Sequence, residues 1–134
     1  MSVIDAETIK DVLIEYAGAY IIILFGSRRN DRARPDSDVD IAFLGDRTVG
    51  GYERFMIAQE LAGRLAADVD LVDLSTASTV LRAQIITAGT VIYCSDERRR
   101  MEFFMKALKE YARLNEERAV ILRAIERRGS IYGS

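Results

Sequence analysis

Apolar and polar positions fall into blocks whose period changes along the chain. From Asp5 to Tyr16 the residues Ile9, Val12, Leu13 and Tyr16 recur at three- and four-residue steps, which predicts a helix with one buried face. Gly18 closes it. Ala19 to Phe25 is an isoleucine-rich apolar run and predicts a strand buried on both sides. A polar loop from Gly26 to Ser37 carries the only proline, Pro35. Asp38 to Leu44 then alternates acid with apolar residues before turning apolar, the pattern of a half-buried strand. Tyr52 to Ala67 predicts a second helix, with Phe55, Ala58, Leu61 and Leu65 on its inner stripe. Asp68 to Leu74 repeats the acid/apolar alternation of a strand. Ser75 or Thr76 could cap a helix through Ala88, ended by Gly89, and Thr90 to Cys94 makes a short last strand. Ser95-Asp96-Glu97 opens a long helix that runs to about Arg128, where Gly129 should stop it.

The order α-β-β-α-β-α-β-α implies an α/β (α+β) fold, a small mixed β-sheet flanked by helices and followed by a long C-terminal helix. At 134 residues the chain is expected to be a single domain, with a core over 1–95 and the C-terminal helix over 96–128. Within that last helix Met101, Phe104, Leu108, Tyr111, Leu122 and Ile125 mark the expected packing stripe, which Asn115 and Arg118 interrupt. Its second half, rich in Glu and Arg, is expected to project toward a partner.

Composition removes several kinds of chemistry. The chain has no histidine, so no Ser-His-Asp triad, Cys-His pair or His-ligated zinc can be built from it. One cysteine, Cys94, excludes an intrachain disulfide and fits a reducing compartment, so the cytoplasm is the expected location. The longest apolar run, Tyr16 to Phe25, is too short to span a membrane, and the opening Met1-Ser2-Val3-Ile4-Asp5, without a basic start or apolar stretch, is not expected to act as a secretory signal. Residues 1–95 hold 9 Lys/Arg against 14 Asp/Glu, net −5, while residues 96–134 hold 10 against 7, net +3. Neither part has the unopposed positive charge of a dedicated nucleic-acid binder, and no direct nucleic-acid binding is expected.

Acid–base and metal chemistry therefore falls to the carboxylates. Asp38 and Asp40 stand two apart on a predicted strand and project from one face, where a divalent cation such as Mg²⁺ would relieve their repulsion. If the strand Asp68-Val69-Asp70 lies alongside, its acids share that face, and three converging carboxylates are the protein half of a two-metal phosphoryl-transfer site. The alternative makes these acids a charged, soluble sheet edge. Upstream, Phe25-Gly26-Ser27 runs from a strand into a small-residue turn whose N–H groups and hydroxyl could hold a triphosphate. No P-loop or G-x-G-x-x-G is present. Of Arg28, Arg29, Arg32 and Arg34, one or two could reach phosphate; Arg28, beside the turn, is the first candidate.

Gly26-Ser27, ten intervening residues, Asp38-Val39-Asp40 and a later Asp68-Val69-Asp70 resemble the nucleotidyltransferase signature of the DNA polymerase beta superfamily. Leu24-Phe25-Gly26-Ser27-Arg28 and Ala33-Arg34-Pro35-Asp36-Ser37-Asp38 resemble most the minimal nucleotidyltransferases, in particular the MntA-type antitoxins that pair with a helical HEPN toxin, a ribonuclease. The resemblance spans nearly the whole chain and implies a nucleotidyltransferase fold. It implies that Gly26 and Ser27 hold the triphosphate of ATP, that Asp38 and Asp40 bind both Mg²⁺ ions, and that Asp70 binds the catalytic one. The implied reaction is transfer of AMP from ATP to a tyrosine hydroxyl of the toxin, which silences it. Asn30 and Asp31 replace the Arg and Gly usual in these antitoxins, a change expected to weaken ATP binding. The alternatives are an antitoxin acting by stoichiometric contact and a small-molecule nucleotidyltransferase, which would usually need a further domain.

Overall fold

The computed structural model describes residues 5–26 and 38–132, with side chains through Arg128. The elements are α1 (Ala6–Ala17), β1 (Ala19–Phe25), β2 (Val39–Gly45), α2 (Gly51–Leu65), β3 (Val69–Asp73), α3 (Thr79–Ala88), β4 (Thr90–Cys94) and α4 (Glu97–Tyr132). Their order is the one the hydrophobic pattern predicts. Asp5 caps α1, its side chain accepting from the Thr8 N–H, and Gly18 ends it in the left-handed conformation at φ 61°.

The four strands form one sheet in the order β3-β2-β1-β4. β1 is antiparallel to both its neighbours, whereas β2 and β3 run parallel, so the sheet is mixed. The parallel pair requires a crossover, which α2 supplies. As a central strand, β1 is covered on both sides, and Ile21, Ile22 and Ile23 are all essentially inaccessible.

Strand alternation divides the core in two. On one side Ile22, Leu24, Val39, Ile41, Phe43 and Leu71 pack against α1 and α2. On the other, Ile21, Ile23, Ala42 and Leu44 meet Leu74 and Ile85, with Phe103 and Phe104 of α4 closing over them. Polar ties hold the second layer in place. Arg82 of α3 donates to the carbonyls of Leu74 and Ser75 at 2.8 and 2.6 Å and lies over the Phe103 ring. Arg99 of α4 pairs with Asp46 at 2.8 Å and stacks 3.6 Å above Tyr20.

Four local expectations need correction. The helix after β3 starts at Thr79 with Ser78 as its cap, its Oγ accepting from the Leu81 N–H at 3.1 Å. Ser75 and Thr76 instead close a turn around the buried Asp73, whose carboxylate accepts from the Ser75 N–H and hydroxyl at 2.9 and 2.7 Å. In α2 the buried anchors are Ile57 and Leu61, and Phe55 faces out. In α4 the inward residues are Phe103, Phe104, Ala107, Tyr111 and Leu114, while Met101 and Leu108 lie exposed, so the stripe is turned by part of a helical step. Finally, Gly129 does not stop α4, which continues to Tyr132. A single glycine costs a helix only about 1 kcal/mol, too little to end it without a left-handed cap.

Candidate active site

The site stands where β1 ends and β2 and β3 begin. Asp40 pairs in register with Asp70 across the parallel β2–β3 ladder, and with Phe25 across the antiparallel β1–β2 ladder. Directly paired residues point to the same face of a sheet, with strands about 4.8 Å apart. Asp38 precedes the first residue of β2, and the Val39 N–H donates to the Asp68 carbonyl at 2.8 Å, holding the two acidic segments side by side. All these acids stand on the face shared with Ala42, Leu44 and Val72, as the alternation predicts. Their intervening neighbours Val39, Ile41 and Leu71 are buried on the opposite face and lock the strands' orientation.

Gly26 is the next element of the site. It has φ 76°, a left-handed conformation natural to glycine. A Cβ built on it would lie 2.0 Å from Asp40 Oδ2. The turn after β1 therefore touches the acid on β2, and only the absence of a side chain leaves that carboxylate its position.

The electrostatics follow from this crowding. Burial pushes the Asp40 carboxyl above its ordinary value of 3.8, and the nearby charges of Asp70 and then Asp38 push it further the same way. An acid destabilised in its charged form by two acids on the same face is suited to a cation. Hard carboxylate oxygens are the donors Mg²⁺ prefers. Among the described residues no three acids stand close enough to form a ready-made metal cage. The three carboxylates share a face, Asp40 feels the other two, and rotamer changes would have to bring them onto a common ion. Asp73, the remaining acid of β3, points into the other layer, where its bonds to Ser75 serve the turn. Ser27, Arg28, Asn30 and Asp31 lie outside the described residues.

One cation near the site belongs to no motif in the sequence. Arg54, in the first turn of α2, lines two grooves together with Asp70. Its only sequence signal is a basic residue close to a helix N-terminus, where acids are favoured.

Residues 7–98 match the family described as "Polymerase beta, Nucleotidyltransferase". The chain belongs to this nucleotidyltransferase family. Within it, the chain is 39% identical over 102 residues to a protein adenylyltransferase MntA of Shewanella oneidensis, covering 76% of this chain and 73% of that one. Among solved structures, this nucleotidyltransferase superposes on a chain of a toxin–antitoxin complex with AMP-PNP at a TM-score of 0.82 and 34% identity, covering 91% of this chain and 98% of that one. A chain from the complex of tri-AMPylated Shewanella oneidensis HEPN toxin with MNT antitoxin matches at a TM-score of 0.75 and 34% identity, covering 90% and 94%. No helix among the described residues is long and apolar enough to cross a membrane.

Proposed function

We propose that this nucleotidyltransferase is a Mg²⁺-dependent protein adenylyltransferase that acts as an antitoxin, moving AMP from ATP to a tyrosine hydroxyl of a partner HEPN ribonuclease toxin. The observation that carries this reading is the cross-strand pair Asp40–Asp70, with Gly26 packed against Asp40 and Asp38 adding its charge. Likeness to a protein adenylyltransferase and to chains of complexes holding AMP-PNP or an AMPylated toxin supports the reaction and the partner. The half-buried free Cys94 suits the cytoplasm.

In this reading Gly26, Ser27 and Arg28 would hold the triphosphate, and Asp38, Asp40 and Asp70 would hold two Mg²⁺ ions. When bound, the ions supply Lewis-acid stabilisation of the attacking and departing oxygens. The residues do the rest. Gly26, packed against Asp40, would bring the triphosphate beside the acids. A tyrosine hydroxyl, whose ordinary pKa is near ~10, gives its proton to Asp70 as its oxygen attacks. The new bond joins that oxygen to the α-phosphorus, the bond to the bridging β-phosphate oxygen breaks, and pyrophosphate leaves in line.

The test is co-expression of the toxin with wild type and with the Asp38→Ala, Asp40→Ala double variant, followed by intact mass of the toxin. An AMP adduct only with wild type is the expected result. Full neutralisation by the double variant with no adduct would instead establish an antitoxin that works by contact. That second reading draws on α4, where Val120, Ile121, Leu122 and Ile125 leave more than half of their surface exposed.

A further inference from the structure

β3 is an edge strand, so one side of its main chain has no strand partner among the described residues. Two open grooves flank that edge, about 230 and 300 Å³ in volume, and both are lined by Arg54, Asp70 and Leu71. One continues over α2 through Gly51 and Phe55, the other toward Thr76 and Leu81. Asp70 thus stands between them, and Arg54 is the one cation among the described residues lining either groove. Its N–H donates to the Gly50 carbonyl at 2.9 Å, which fixes the backbone, but no described residue pairs with its half-buried guanidinium.

Position decides what Arg54 serves. Across the sheet the order is the Gly26 turn on β1, Asp40 on β2, Asp70 on β3, and then Arg54 outside the edge. β1 and β3 are two strand spacings apart, about 10 Å, so Arg54 is remote from phosphates seated at the Gly26 turn. In the proposed reaction the accepting hydroxyl would reach Asp70 from its open, edge side. A chain that fills these grooves removes water from the guanidinium, and an unpaired cation there would be costly. A carboxylate of the incoming chain removes that cost through a charge-assisted pair. Beside the acids of β2 and β3, Arg54 is the cation of these grooves that an acidic segment would meet.

We propose that the grooves along the β3 edge receive the acceptor protein, and that Arg54 selects it by pairing with an Asp or Glu carboxylate near the accepting tyrosine. This inference rests on the proposed adenylyl transfer to a toxin, and it assigns that reaction an acceptor-specificity residue. The probe is the HEPN toxin, prepared unmodified from co-expression with the Asp38→Ala, Asp40→Ala variant. Arg54→Ala should raise KM for the toxin about tenfold while kcat and KM for ATP stay within about twofold, and Arg54→Lys should recover most of the loss. A rise in KM for ATP instead would assign the cation to the nucleotide and overturn the proposal, as would no change in either constant. Toxin affinity measured calorimetrically in the Asp38→Ala, Asp40→Ala background separates this from the reaction itself. If wild type transfers no AMP, the proposed reaction fails, yet about tenfold weaker toxin binding on adding Arg54→Ala still supports the groove, and equal binding overturns it.

Discussion

The two faces of β2 are built to opposite ends. On one, Val39, Ile41 and Phe43 are essentially inaccessible and fill the layer under α1 and α2. On the other, Ala42 and Leu44 are equally buried, but the strand begins there with Asp38 exposed and Asp40 partly covered, so the apolar layer gives way to acids. The dry face holds the strand; the mixed face uses that rigidity to present charge. Like charges placed side by side oppose folding, and they can be kept there only because the other face over-determines the strand's position.

The contrast can be broken from either side. Removing the acids should separate chemistry from fold most completely: Asp38→Ala with Asp40→Ala should lower AMP transfer by at least about a thousandfold, with no loss in melting temperature. Intact mass of the toxin and a thermal melt read the two effects. Removing the anchor should do the reverse. Phe43→Ala takes a large, fully buried ring out of the dry face and should cost about 3–5 kcal/mol in denaturant unfolding, with activity lost in proportion to the unfolded fraction.

Gly26→Ala tests the junction between the two. Its Cβ would collide with Asp40 Oδ2 at a backbone angle alanine dislikes. The expected result is a loss of about a hundredfold in kcat/KM and roughly 1 kcal/mol in stability. The smallest effect concerns the cost of the charge itself. Because the folded chain holds the Asp40 carboxyl above 3.8, it binds that proton more readily than the unfolded chain does. Stability is therefore lost as pH rises from 3.8 through the raised value, and the loss is complete above it. Asp40→Asn should melt a little higher than wild type at pH 7 without added divalent cation, the difference shrinking both in acid and when Mg²⁺ is added to wild type. A wild-type melt unaffected by Mg²⁺ would count against the metal site.

Local pattern made much of this legible. The isoleucine run of β1, the alternation Asp38-Val39-Asp40-Ile41 and the spacing from Gly26 to Asp40 carry the element order and the candidate acids. What local pattern missed followed from packing. The inward side of α4 is set by where Phe103 and Phe104 meet the sheet, not by the most regular apolar series. Ser78 outcompetes Ser75 as a helix cap because Asp73 turns inward and claims Ser75 for its own turn. Arg54 carried no motif, and its place beside Asp70 exists only because β3 is at the edge and α2 crosses over it.

The amino-acid order alone fixed which residues could carry chemistry: with no histidine, two acidic strands and a Gly-Ser turn remained. Strand periodicity placed Asp38 with Asp40, and Asp68 with Asp70, because alternation is a property of the backbone and needs no partner. Only tertiary structure decided that β2 and β3 run parallel with Asp40 opposite Asp70, since a strand's neighbour and register are set by the crossover and by the burial of its other face. The same is true of the glycine against the carboxylate and the arginine beyond the edge, contacts between segments that the chain brings together only when its core closes.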